Sequence, residues 1–279
     1  MVCRRGLVAV HGRCGLTAYT LSSIPEETLH EIELLADVDR GSHRRPRRAV
    51  VALAGSTPML RALVLLALLL GIIKPSWSAQ PRLEITYSPE LDEDCSILHG
   101  PPIKDDWKLE LTSRMTEYQD LWTQVGPKLI HAAEKIARRP FPSDPIAARL
   151  TLCNIPSQSF VGVIVNMRYA LKSFTADPVP MRYKVDTLFH ELLHKFLAAR
   201  PVRGSALIAA HADEPECVRD HLHLLALQKA ALLRIGERDA LQTVVAVDGQ
   251  LPGGCYKRAW ALVNATETEY LSYVAEVAR

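Results

Sequence analysis

YKVDTLFHELLHKFL, from Tyr183 to Leu197, decides how this chain is read. At its centre stands His190-Glu191-Leu192-Leu193-His194, an HExxH pattern. No Pro or Gly interrupts Met181 to Arg200, and the residues there are mostly good helix formers, so the stretch predicts a helix. Residues four apart share one helix face. His190 and His194 therefore present two imidazoles to one metal ion. Glu191, the next residue along, lies beside such an ion rather than on it. There it is placed to take a proton from a metal-bound water.

The apolar residues around the motif sharpen this reading. Leu188, Phe189, Leu192, Leu193, Phe196 and Leu197 surround the polar triplet as in a buried helix. Two His and one Glu inside a core need partners, and a metal supplies them. The competing reading is a surface helix whose His and Glu are merely solvated.

Over Met181–Arg200 the chain resembles the zincin superfamily of metallopeptidases. The resemblance implies an α+β fold: a small mixed or antiparallel sheet, the HExxH active-site helix, then a helical C-terminal part. It also implies a cleft in which an extended substrate pairs with the edge strand. The cofactor it implies is Zn2+, with His190 and His194 as ligands and Glu191 as the catalytic base.

A catalytic zinc needs a third protein ligand and one open position. Candidates are His211, Asp213, Glu214, Glu216, Asp220, His221 and His223. The gluzincin-like branch, typified by thermolysin, uses a Glu about twenty residues beyond the motif. Glu214 and Glu216 have that spacing, and Glu216 with Asp220 resembles the ExxxD pattern of that group. Helix geometry argues for His221 instead. If the helix opening at Pro215 packs antiparallel to the first, the position level with His194 falls near Asp220 and His221. His221 also shares a face with Cys217, Val218, Leu224 and Leu225. His221 is the first choice and Glu216 the alternative. Asp186, four residues before His190, is a candidate partner behind the metal. Tyr256, Tyr270, Tyr273 and His223 are unranked candidates for the oxyanion donor. The metzincin spacing is excluded, because residues 195–204 (KFLAARPVRG) contain no His.

Upstream, the strands expected are Ala148–Cys153 and Ser159–Asn166, joined by Asn154–Gln158, with a third extended piece at Arg168–Phe174. Residues 81–105 read as an extended lead-in. Trp107–Arg138 has helical spacing with a break expected near Gly126-Pro127. Downstream, Pro201–Glu214 reads as a loop. A long helix then runs from Pro215 to about Ile235, and two closing helices follow at Tyr256–Asn264 and Thr266–Ala278.

Met59–Ala79 (MLRALVLLALLLGIIKPSWSA) has the layout of a signal peptide: Arg61, an apolar run from Ala62 to Ile73, and Ser76-Trp77-Ser78 before a cleavage point at Ala79. Residues 1–58, with the cluster Arg44-Arg45-Pro46-Arg47-Arg48, read as a doubtful leader, and 80–279 as the catalytic domain. The apolar run is short for a bilayer span, so stable membrane insertion is expected only if the segment stays uncleaved. The implied location is periplasmic or extracellular. Cys95, Cys153, Cys217 and Cys255 are four, an even number, so two disulfides are expected, in any of three pairings. A net charge of +2 argues against a nucleic-acid binder.

The function these features imply is an exported zinc metallohydrolase, a peptidase acting on peptide or protein substrates. Its rivals are a non-catalytic secreted or envelope-anchored binding protein that keeps the helix for structure, and a metal-dependent amidase acting on a small molecule.

Overall fold

The computed structural model describes residues 82–98, 102–160 and 162–279. The leader, the signal segment, Cys3 and Cys14 lie outside the described residues. The chain opens with β1 (Leu83–Tyr87) and α1 (Pro89–Leu98), followed by α2 (Asp105–Ser113) and α3 (Met115–Ala137). Two strands follow, β2 (Ile146–Thr151) and β3 (Val163–Asn166). The rest is helical: α4 (Met181–Ala198), α5 (Ala206–Ala210), α6 (Glu216–Arg234), α7 (Arg238–Asp248), α8 (Cys255–Val263) and α9 (Glu269–Val277). The fold is α+β, mostly helical.

The sheet corrects the expectation. It is parallel throughout, in the order β1-β2-β3, and not mixed or antiparallel. The first strand comes from the lead-in segment, whose alternating residues Leu83, Ile85 and Tyr87 pack toward the core. Antiparallel pairing of β2 with β3 does not form, for identifiable reasons. Asp92 of α1 accepts hydrogen bonds from Thr151 Oγ1 at 2.6 Å and the Leu152 amide at 2.8 Å, pulling the end of β2 toward α1. The Cys95–Cys153 disulfide fixes the same point. The Asn166 carboxamide donates to the carbonyls of Cys153 and Ile155, so the connecting loop folds back along the sheet. Only Gln158 pairs antiparallel, with Ile164.

That loop also closes the edge which the resemblance assigns to substrate. The Ile164 amide and carbonyl are both bonded to Gln158, and the Asn166 amide donates to Ser157 Oγ. The piece at Arg168–Phe174 is not a strand; it starts as a 3-10 turn, Arg168–Ala170.

The helix carrying the motif is buried on several sides. Leu188, Phe189, Leu192 and Leu193 are fully enclosed, and His190 and Glu191 are 5% and 3% exposed. The solvated surface helix is therefore excluded. Its neighbours are β3, α3, α6 and α7. α6 is the hub of the helical part, packing on α3, α4, α7, α8 and α9. It starts one residue after Pro215 and ends before Gly236, whose φ of 84° suits only glycine at low cost.

The second disulfide, Cys217–Cys255, ties the start of α6 to the start of α8. Two bridges suit an oxidising compartment, extracellular or periplasmic. Among the described residues no helix is long and apolar enough to cross a membrane.

Candidate metal centre

Two helices build the cluster. His190 and His194 project from one face of α4, as their spacing requires. His221 comes from α6, one turn after Cys217. One ligand atom from each of the three lies within 4.8 Å of the others. The ring centroids are 4.9 Å apart for His190 and His194, 5.5 Å for His190 and His221, and 5.2 Å for His194 and His221.

Hydrogen bonds settle which nitrogens are available. His221 Nδ1 lies 2.7 Å from the Cys217 carbonyl, which can only accept. Nδ1 therefore carries the proton, and Nε2 of the neutral ring keeps its lone pair. His190 Nδ1 lies 3.1 Å from Gln228 Oε1. The Gln228 amide is oriented in turn by its NH2 group, which donates to the Asp186 carbonyl at 3.4 Å. His190 Nε2 is thus also left with its lone pair, facing the Tyr256 hydroxyl at 3.3 Å.

Electrostatics point the same way. Burial, with smaller contributions from His194 and His221, holds His190 well below the usual imidazole range. Burial and then His221 push His194 down to about 4. Burial also lowers His221. Three neutral imidazoles, with the Nε2 lone pair kept on His190 and His221 by their hydrogen bonds, are a donor set suited to zinc, which takes His nitrogens at about 2.0–2.1 Å.

Glu191 sits beside the cluster. Its carboxyl makes no hydrogen bond with the described residues, and burial alone raises it to about 8. Tyr256 stacks obliquely on His221, ring centroids 4.7 Å apart, and burial raises its phenol so that it stays protonated.

The other candidates lie elsewhere. Glu216 is exposed at the start of α6 and outside the cluster. Asp213 and Asp220 are exposed. Glu214 pairs with Arg258. His211 bonds to the Tyr273 hydroxyl at 2.9 Å, and His223 to Glu276 at 2.9 Å. Tyr270 lies under the Lys229 ammonium. Of the four oxyanion candidates, only Tyr256 is in contact with the cluster.

Asp186 is the candidate partner expected behind the metal. It is 1% exposed, and its carboxylate turns to Arg182. It reaches the site through its backbone carbonyl, by way of Gln228. Gln228 itself was missed in the sequence. Its one signal is its position seven residues after His221, two turns along the same face of α6.

Comparison of the chain with protein-family models, with curated proteins and with solved structures finds no match.

Proposed function

We infer that the domain is an exported zinc-dependent hydrolase of zincin type, and that it cleaves amide bonds in peptides. The observation that carries this reading is the convergence of three neutral imidazoles from two helices, with a buried, otherwise unbonded carboxyl next to them. An enclosed carboxyl with no partner is costly to keep, which argues for a use. The ligands are His190, His194 and His221.

When bound, zinc supplies Lewis acidity toward the scissile carbonyl and lowers the pKa of a coordinated water. Glu191 acts as general base on the attacking water and returns the proton to the leaving amine. The Tyr256 phenol donates a hydrogen bond to the oxygen on which charge develops. The Cys217 carbonyl and Gln228 hold His221 and His190 in their working tautomers.

The test compares wild type with Glu191→Gln and Tyr256→Phe against a peptide library. Glu191→Gln keeps both neighbouring ligands and removes the base, so it should retain zinc and lose hydrolysis. Tyr256→Phe should retain zinc and lose about 10²-fold in kcat. Full activity in Glu191→Gln would overturn the mechanism.

A further inference from the structure

A second site lies away from the histidines, where α3, α9 and the segment after α4 come together. A cavity of about 280 Å³ opens there, and its lining includes Arg138, Arg139, Arg200, Arg203 and Arg279 together with Glu276. We propose that this cavity binds a multiply charged tetrahedral oxyanion, a phosphate or sulfate group, through its arginine guanidinium groups.

The arginines are not explained by structural duties. Helix C-termini attract cations, and three helices end near this point. Only Arg139 serves that purpose: it donates to the carbonyls of Arg200 at 2.6 Å and Phe196 at 3.4 Å, and lies over the Phe196 ring. Its Nε is buried and has no partner. The guanidinium groups of Arg138, Arg200 and Arg203 bond to none of the described residues. The one carboxylate side chain in the lining, Glu276, is already engaged by the Ser205 hydroxyl and by His223.

The backbone adds a further observation. Arg138 is the one non-glycine among the described residues with positive φ, 54°. It caps α3 in the left-handed conformation, where glycine is the low-cost residue. An arginine held there at a cost places a cation on the cavity wall.

Five arginines around one cavity repel each other, and a multiply charged anion relieves that repulsion. Guanidinium forks match tetrahedral oxyanions in geometry as well as charge. The volume is near the lower end for small-molecule sites, about 300 Å³. It therefore fits a free ion or a small ester.

The experiment is isothermal titration of the full chain with inorganic phosphate and, separately, with glycerol phosphate, at constant ionic strength. Saturable binding of one ligand per chain is expected. Arg138, Arg200 and Arg203 are all exposed, so any of them can be replaced without disturbing the core; Arg138→Gln/Arg203→Gln should weaken binding at least tenfold, and Arg200→Gln alone should give a smaller loss in the same direction. Arg149→Gln, an exposed arginine on β2, should change nothing. The tighter of the two ligands tells whether the natural occupant is the free ion or an ester. Absence of saturable binding by either ligand overturns the proposal. So does equal affinity in the double variant, which would assign the binding to other cations such as Arg44–Arg48. None of these outcomes depends on hydrolytic activity.

Discussion

At the scale of single residues, the orientation of His190 rests on a side chain 38 positions away. Gln228 Oε1 accepts a hydrogen bond from His190 Nδ1–H, and the Gln228 NH2 group donates to the Asp186 carbonyl. Partners of this kind commonly change metal affinity about 10–100-fold. Gln228→Leu, close in volume, should lower zinc affinity by that factor in a competition titration while leaving the fold intact; unchanged affinity would reduce Gln228 to packing. Lys184 offers a test by pH. It is 5% exposed, and burial, partly offset by Asp248, depresses its pKa to about 8. A lysine whose folded pKa lies below its unfolded value binds fewer protons when folded. Stability then rises with pH between about 8 and 10.5, and the penalty is fully present below 8. Lys184→Met should therefore stabilise the protein at pH 7 by at most about 3 kcal/mol, from 1.36 kcal/mol per pKa unit. The gain should shrink toward zero at pH 10.5 in denaturant unfolding. A gain independent of pH would show that desolvation of the charge is not its source. The pair His190 and His194 was legible in the sequence because helix periodicity alone places it. His221 was reachable by counting turns on an assumed antiparallel helix. Gln228 was not, because its role is created by packing between helices.

At the scale of elements, α3 shows how packing overrides a local signal. Gly126-Pro127 predicts a break, yet the helix runs unbroken from Met115 to Ala137. A proline in a helix interior costs about 3 kcal/mol. Burial of Trp122, Val125, Leu129 and Ile130 along one face offsets it. The glycine has a specific task. A Cβ at position 126 would lie 2.4 Å from the Trp122 ring. Gly126→Ala gains about 1 kcal/mol of helix propensity but must displace a packed indole, costing about 1–3 kcal/mol. The net effect should be destabilisation, read as a lowered denaturant midpoint at unchanged slope; a raised midpoint would mean the ring moves freely. The strands show the opposite limit. Apolar runs located β2 and β3 to within a few residues, but pairing direction depends on Asp92 and Cys95, which are far away in sequence, and on the side chain of Asn166, which reads only as the end of a strand. The runs themselves carry no pairing direction; the mixed or antiparallel sheet was implied by the resemblance alone. α7 went unread, and α1 was hidden in an acidic stretch containing Pro89.

At the scale of the molecule, two disulfides and one helical hub hold the site together. Cys95–Cys153 anchors α1 to the end of β2, and Cys217–Cys255 brings the helix of His221 against the helix of Tyr256. In the chain-entropy account, loops of 58 and 38 residues contribute about 4 kcal/mol each. The sequence announced four paired cysteines but not the pairing, since pairing follows from the tertiary arrangement. The central claim is that His190, His194 and His221 together hold one zinc ion. Its most direct test is the metal content of the purified full chain, measured alongside single alanine variants. About one zinc per chain is expected in wild type and in Glu216→Ala, with sharp loss in His190→Ala, His194→Ala and His221→Ala, since a four-coordinate site with one open position needs all three. Wild type without bound zinc, or zinc retained in His221→Ala and lost in Glu216→Ala, would contradict the account.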